Sequence, residues 1–599
     1  MRLARLLRGH AGEVVAVFAL LLVQALCELS LPRYMSDIVN VGVVGAQAGN
    51  AAYLGHMALV MFGFCVGSLV AAMLSGLIAS RVAAAVARDL RRKVFAKVMS
   101  FSPAEVNRFS QSSLITRCTN DVQQIQNMVV IMLRMVMFAP VMGVVAVVQV
   151  MTMGGGLAWI VGAALLAVLG VVTVLFSLTM PRFKVMQSLV DRVNLVAREM
   201  LDGLMTIRAF GRLDHELERF DEASGDLRDA QLFVNRATAL MMPLMMLVMN
   251  VATVAIVWFG SRGVAAGAMR VGDMMAFISY AMMIVMSFLI VSMVAVILPR
   301  AEVSVGRVQE VLAVEPAVRE PKHPVAPAAD APRGRLVFDH VGFRYPDAEG
   351  DVVSDVSFAT APGKITAIVG STGSGKSTLV QLAPRLYDPT SGTVTLDGVD
   401  TRQMSLADLR SRVGYVPQQG FLFSGSIRSN VAFGTDAVGT DDAASGMDAP
   451  GATGEKDLLR AVEVAQASEL VSQKDGGLDA PITQGGTNVS GGQRQRLATA
   501  RALAMRPEVL VLDDSFSALD YATDARLRQA LARECADTAV LVVAQRVATV
   551  MGADQIVVLD EGCVVGQGTH EELLRSCPEY LEIAKSQLSA SELGLKEGE

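Results

Sequence analysis

Two hydropathy regimes divide the chain. Up to about residue 300, six apolar runs alternate with polar stretches: Val14–Tyr34, Tyr53–Ser80, Met128–Met151, Leu157–Met180, Ala239–Phe259 and Met274–Leu298. Each is long enough to cross about 30 Å of hydrocarbon as a helix. The gaps Val39–Asn50 and Met151–Gly156 carry no Lys or Arg, whereas Arg81–Lys97 and Arg182–Arg236 are rich in both. The positive-inside rule then predicts that the N-terminus, these two basic loops and everything after Arg300 are cytoplasmic; Arg262 and Arg270, in the last outer gap, are a mild exception. Met1–His10 sets Leu3, Leu6 and Leu7 on one helical face beside Arg2, Arg5 and Arg8, suiting a membrane interface, with a signal peptide as the rival reading.

The basic loops are long and read as helical, with amphipathic turns at Ser102–Leu114 and Ile207–Ala223. Loops of such length ask for a role, here carrying motion between a cytoplasmic domain and the spans; a plain helical hairpin extension is the alternative. Gln24, Glu28, Arg134, Gln149 and Asn250 fall within the spans. Glu28 and Arg134 face either a cavity or a structural partner, and Arg134 is close enough to the inner interface to snorkel. Pro140 and Pro243 are candidate kinks. The Met-rich runs Met241–Met249 and Met282–Phe288 suit lipid contact or core filling, an adaptable apolar pocket being the other option.

Glu315–Pro332 is rich in Pro and Ala and reads as an extended linker, so the expected domains are 1–312 in the membrane, a linker over 313–333 and a soluble domain over 334–599. Thr435–Lys456, small, acidic and free of aromatics, reads as a disordered insertion. Composition sharpens this picture. The chain is 52% hydrophobic with 33 Met, too apolar for an ordinary soluble protein, and its net charge of −6 gives no reason to expect a nucleic-acid partner. Six scattered Cys show no metal spacing and no pairing pattern, which suits a reduced setting for the polar half.

The soluble domain carries the chemistry. Gly370–Thr378 reads GSTGSGKST, after the β-favouring run KITAIVG and before the helical TLVQLAPRLY. A strand, a glycine turn and a helix start make an anion cradle from the backbone of Gly370, Ser371, Thr372, Gly373, Ser374 and Gly375; Lys376 adds a point charge, Ser377 a hydroxyl for Mg²⁺, and Thr378 follows. PEVLVLD reads as a buried strand that ends at Asp513, placed to hold Mg²⁺ directly or through water. Gln418 in YVPQQG is a candidate for the same ion and the attacking water, and Tyr345 in FRYPD for stacking on adenine. Ser490, Gly491, Gly492 and Gln493 open a second helix able to face an anion. Two phosphate-binding ends in one domain suggest two copies facing each other.

GSTGSGKST, VPQQ, NVSGGQRQR, VLVLDD, SALD and six preceding spans resemble the ATP-binding cassette (ABC) transporters over nearly the whole chain, in the layout of a type IV exporter half-transporter. The resemblance implies an α-helical six-span transmembrane domain followed by an α/β P-loop nucleotide-binding domain with a helical subdomain. It also implies ATP and Mg²⁺ as cofactors, coupling helices near 102–109 and 211–220, and a dimer with ATP sandwiched between the phosphate loop of one chain and the SGGQ of the other. Two departures stand out. Asp514 occupies the place where the family usually has the Glu that polarises the attacking water, and Gln545 replaces the usual switch His; Gln484, too, stands where an acid is common. The expectation is a site that binds ATP and turns it over slowly, with an intact signature offered to a partner, as in heterodimeric bacterial multidrug exporters. A heterodimer is expected ahead of a homodimer, in a cell membrane with the cassette in the cytoplasm, moving hydrophobic or amphiphilic compounds. A lipid, peptide or siderophore transporter on the same scaffold, or an ATP-binding regulatory or sensor subunit that does not pump, is the alternative.

Overall fold

The computed structural model describes residues 8–45, 48–153, 156–328, 333–346, 348–435, 454–589 and 593. Residues 1–7 of the basic N-terminal piece and 436–453 of the acidic insertion lie outside the described residues. The chain divides into two compact units: one runs through Val98 and over Ser112–Val314, the other takes Met99–Gln111 and everything from Glu315.

Among the described residues, six helices of the first unit are long and apolar enough to cross a membrane. The main helices are α1 (Ala11–Asp37), α2 (Ala51–Met99), then, beyond a short helix α3 (Pro103–Phe109), α4 (Met137–Thr152), α5 (Ala158–Asp202), α6 (Leu213–Ala239), α7 (Met241–Ala265) and α8 (Val271–Ala313). Several run far past the apolar stretch, because the polar segments that follow keep helical propensity where hydropathy has already fallen. Both prolines leave the marks their chemistry demands. Pro140 has no N–H for the carbonyl of Val136, and the turn Met132–Val136 widens to π geometry just before it. Pro243 cannot donate to Ala239, and α6 and α7 are separated at Leu240. The second basic loop breaks at Phe210–Arg212, where Gly211 takes φ +63°, and α6 then starts at Leu213.

Small and branched residues face inward. Leu29, Ala146, Ile256, Phe277, Tyr280 and Ile284 are almost wholly buried in one cluster, while Leu59, Phe62, Leu166 and Val254 stay exposed, as side chains facing lipid would. Tyr280 settles its buried hydroxyl by donating to the carbonyl of Leu29 at 2.8 Å. Asp273 at the start of α8 accepts from Ser36 at 2.7 Å and Asn40 at 3.0 Å, clasping α8 to the end of α1.

The second unit is built on two main sheets, besides a two-stranded antiparallel pair of β7 (Gly425–Ser426) and β8 (Pro481–Ile482). Strands β1 (Leu336–Phe343), β2 (Val353–Ala359), β4 (Ser391–Leu396) and β5 (Val399–Asp400) form an antiparallel sheet in the order β2-β1-β4-β5. The six-stranded sheet has the order β12-β11-β3-β10-β9-β6, with β3 (Ile365–Gly370), β6 (Val413–Val416), β9 (Val509–Asp513), β10 (Ala539–Val543) and β11 (Gln555–Asp560) parallel and β12 (Cys563–Gly568) antiparallel at the edge. Apolar clusters cover both faces of this sheet, and a third, including Leu422, Ile427, Leu458, Leu470 and Leu497, forms the core of a helical subdomain. The short helix α3 belongs to this unit: a capping box closes it, Ser102 N donating to Glu105 Oε2 at 2.7 Å, and Ala104 packs on the cluster around Tyr387. Residues 314–328 carry no helix or strand but are not loose. Ala317 N donates to Glu105 Oε1 at 3.0 Å, Arg385 reaches the carbonyl of Arg319 at 3.0 Å, and Val325 N donates to the carbonyl of Gln403 at 2.8 Å.

Candidate nucleotide-binding site

All five residues of β9 and of β10 are buried, as expected of central strands in a parallel sheet covered on both faces. Their register sets Val543 against both Asp513 and Ile368, so β9 and β10 end at one level and β3 runs two residues further, to Gly370. Ligand crevices of open α/β sheets lie outside the carboxyl ends of the strands. Gly370, Asp513 and Asp514, Gln418 and Gln545 follow the carboxyl ends of β3, β9, β6 and β10.

The phosphate loop is shaped by its glycines. A Cβ on Gly370 would sit 2.0 Å from the carbonyl oxygen of Leu559, and one on Gly375, at φ +90°, would sit 2.7 Å from that of Val352. Ser371, Thr372 and Gly373 are exposed while Ser374, Gly375, Lys376 and Thr378 are buried, giving an open mouth over a closed floor. Lys376 Nζ folds back over the loop, donating to the carbonyls of Gly370 at 3.0 Å and Ser371 at 2.6 Å and to Ser374 Oγ at 3.2 Å. Gly370→Ala is therefore expected to lower the thermal unfolding midpoint, with a cost above about 1 kcal/mol, because Leu559 belongs to a core strand that cannot retreat. An unchanged midpoint would show that the loop accommodates a side chain.

Asp513 accepts from Ser377 Oγ at 2.8 Å and from Tyr415 OH at 3.2 Å. This oxygen-only pairing beneath the loop fits Mg²⁺, which takes few protein ligands and completes its shell with phosphate and water. No cluster of three or more His, Cys, Asp or Glu competes for a metal among the described residues. Burial pushes the carboxyls of Asp513 and Asp514 above their ordinary range and pulls Lys376 below its own, while the opposite charges across the site counter each shift. Burial also drives the Tyr415 phenol well up, with Asp513 adding to the effect, so it stays a hydrogen-bond donor.

Asp514 sits at φ +48°, a conformation costly for a non-glycine residue. Its Oδ2 accepts from Gln545 Nε2 at 2.7 Å and Gln418 Nε2 at 3.2 Å. Three sequence candidates thus meet at one carboxylate oxygen. Tyr345 lies beside the helix that follows the loop, its hydroxyl 3.0 Å from Thr378 Oγ1 and its ring edge-on to Phe343 and Tyr387. Ser490 caps the helix Gly491–Ala504: its Oγ accepts from Gln493 N at 3.3 Å while Gln493 Oε1 accepts from Ser490 N at 2.9 Å. Among the described residues no hydrogen bond joins Ser490, Gly491, Gly492 or Gln493 to the phosphate loop of the same chain.

Sequence reasoning passed over two residues that hold the site. Tyr415 is an ordinary strand residue until its hydroxyl is seen on Asp513; its place three residues before Gln418 was the available signal. Buried Gln495 donates to the carbonyl of Pro417 and accepts from Gly420 N, both at 3.0 Å, so it clamps the Gln418 loop to the helix that SGGQ opens. Nothing local to RQR marks it.

Residues 14–288 match the family described as ABC transporter transmembrane region, and residues 353–517 match the family described as ABC transporter. An uncharacterized ABC transporter ATP-binding protein of Mycobacterium tuberculosis is 39% identical over 98% of both chains. The uncharacterized ABC transporter ATP-binding protein YfiB of Bacillus subtilis is 36% identical over 95% of both. A bacterial Atm1-family ABC exporter solved with ATP bound superposes with a TM-score of 0.78 at 24% identity, over 98% of this chain and 99% of that one, which speaks to the fold. A phosphate loop, a hydrogen-bonded Ser377–Asp513 pair and a separate capped signature helix, in a chain with six apolar spans, have the same meaning as these likenesses: this multi-pass membrane protein belongs to the ABC transporter family, with the fold of an exporter half-transporter and a cassette that couples ATP hydrolysis to transport.

Proposed function

We propose that this chain is the slow-site subunit of a heterodimeric exporter of hydrophobic or amphiphilic compounds in a cell membrane. The observation that carries the reading is the arrangement at Asp514. A carboxylate one carbon shorter than glutamate is held at 2.7 Å and 3.2 Å by two amides, and Gln545 brings no titratable proton. In this reading Lys376 and the backbone of Gly370–Thr378 bind the phosphates, and Tyr345 stacks on adenine. Ser377, Gln418 and Asp513 hold Mg²⁺, whose charge offsets that of the phosphates. ATP then stays bound here through many cycles at the other site. The helix opened by Ser490–Gln493, well capped and separate from its own loop, supports a role in completing a partner's site. A partner cassette with Glu and His at the equivalent places does most of the turnover, and closure and reopening of the two cassettes alternates access in the membrane.

The test is the intact mass of the complex, gently extracted from its native membrane. Two different chains of similar size are expected. A pair made only of this chain would overturn the heterodimer and leave Asp514 as the base in both sites.

A further inference from the structure

The inference concerns the substrate class, and it rests on the transport reading above. Glu28 lies on α1, about 14 Å before the helix end at Asp37 at 1.5 Å per residue. Its Oε1 accepts from Gln24 Nε2 at 2.9 Å and Ser68 Oγ at 3.0 Å. Among the described residues no cation forms an ion pair with it. Asp273, the acid at the head of α8, is by contrast paired with Arg270 at 3.1 Å. The two groups that orient Glu28 are neutral donors.

The same side chain lines a cavity of about 390 Å³ bounded by α1, α4 and α8. The rest of the wall is Phe138, Met142, Met282, Met283 and Met286, with only small residues and Ile290 besides. The volume falls in the range of about 300–1,000 Å³ typical of small-molecule sites. Methionine side chains are unbranched and polarizable and repack around unlike shapes, and an aromatic face attracts positive charge. A carboxylate within a membrane-spanning helix is costly unless its charge finds a partner, and no Lys, Arg or His lines the surrounding wall. A flat-bodied or bulky apolar cation would supply the missing charge while its body displaces water from the thioethers. A neutral compound of the same shape gives up the charge term, and an anion is repelled.

We propose that this cavity is a binding site for lipophilic cations and that Glu28 is the group that reads their charge. The probe is tetraphenylphosphonium, with tetraphenylborate as the nearly isosteric anion, measured on the purified complex in lipid nanodiscs. Tritiated tetraphenylphosphonium is expected to bind, and tetraphenylborate to compete at least tenfold more weakly. Glu28→Gln, which keeps hydrogen-bonding capacity toward Gln24 and Ser68, is expected to weaken tetraphenylphosphonium at least tenfold, whereas Glu28→Asp retains the preference for the cation. Absence of binding, equal competition by the borate, or Glu28→Gln binding like the wild type would each overturn the proposal. If Glu28→Gln fails to fold, the borate competition on the wild-type complex and the Glu28→Asp variant still decide it. Uptake into inverted vesicles separates this site from the transport reading. Charge-selective binding without ATP-driven accumulation of any amphiphile would overturn the exporter and keep the site. ATP-driven accumulation of tetraphenylphosphonium indifferent to Glu28→Gln would overturn the site and keep the exporter.

Discussion

Asp514→Glu combined with Gln545→His is expected to raise single-turnover ATP hydrolysis at this chain's own site by about 10²-fold or more. The first substitution extends the carboxylate by one carbon–carbon bond, about 1.5 Å. A general base works only within about 2.6–3.2 Å of the water it activates, and a misplacement of about 1 Å can cost about 10²-fold. The present carboxylate is also held back by its surroundings, since Gln545 and Gln418 both donate to its Oδ2, at 2.7 Å and 3.2 Å, and the residue sits at φ +48°. The second substitution removes the shorter of those tethers and brings an imidazole whose proton can move. General acid–base help is typically worth about 10²–10⁴ in rate, or about 3–5 kcal/mol at about 1.36 kcal/mol per decade. The two changes act on one carboxylate and should not add simply, so the single variants belong beside the double. The measurement is single-turnover hydrolysis by the complex with the partner's phosphate loop disabled. An unchanged rate in the double variant would remove Asp514 and Gln545 as the cause of slow turnover.

Lys376→Ala is expected to weaken ATP binding at this site by about 10–10²-fold, since a hydrogen bond to a charged group is worth about 1.5–3 kcal/mol. Its ammonium donates to the carbonyls of Gly370 and Ser371 at 3.0 Å and 2.6 Å and to Ser374 Oγ at 3.2 Å. Those bonds stiffen the loop and preset the ammonium over the cradle, where phosphate oxygens can replace them. Burial already pulls its pKa down, with Asp514 and Asp513 opposing, so the charge is held in a site that gains from meeting anionic oxygens. The backbone shape of the loop depends on its glycines and on β3, and the unfolding midpoint in the absence of nucleotide should move little. Equilibrium binding of a fluorescent ATP analogue, read beside thermal unfolding, separates these effects. Unaltered affinity would mean that Lys376 does not contact phosphate. A large fall in midpoint would mean that it serves the fold instead.

Legibility followed the distance along the chain over which each feature is encoded. The spans were readable because about 20 consecutive apolar residues suffice to announce one. Their ends were not: α2 runs on to Met99 and α8 to Ala313, well past the continuous apolar runs read as ending at Ser80 and Leu298, since helix propensity outlasts hydropathy. The phosphate loop and SGGQ were readable because each is a single turn whose backbone geometry demands its own residues. Pro140 and Pro243 announced disturbances, and the widened turn at Met132–Val136 and the break at Leu240 are what a missing N–H leaves behind. Tyr415 and Gln495 escaped notice because their roles exist only where β6, β9 and the signature helix meet.

From the sequence alone came the six-span half and the ABC cassette, together with the expectations that Gly370–Thr378 faces phosphate and that Asp514 and Gln545 slow the site, since all of these are read from contiguous residues. Tertiary structure alone decided what those residues do to one another. Parallel pairing of β3, β10, β9 and β6 brings Gln418 and Gln545, respectively 96 and 31 residues from Asp514, onto one of its oxygens. Packing of α3 assigns Ser102–Phe109 to the cassette unit rather than to the helices it interrupts. The junction of α1, α4 and α8 turns a lone acid and a run of methionines into one cavity. Such juxtapositions depend on sheet register and helix packing between segments far apart in the chain, where burial of shared apolar surface, rather than any local preference, sets the geometry.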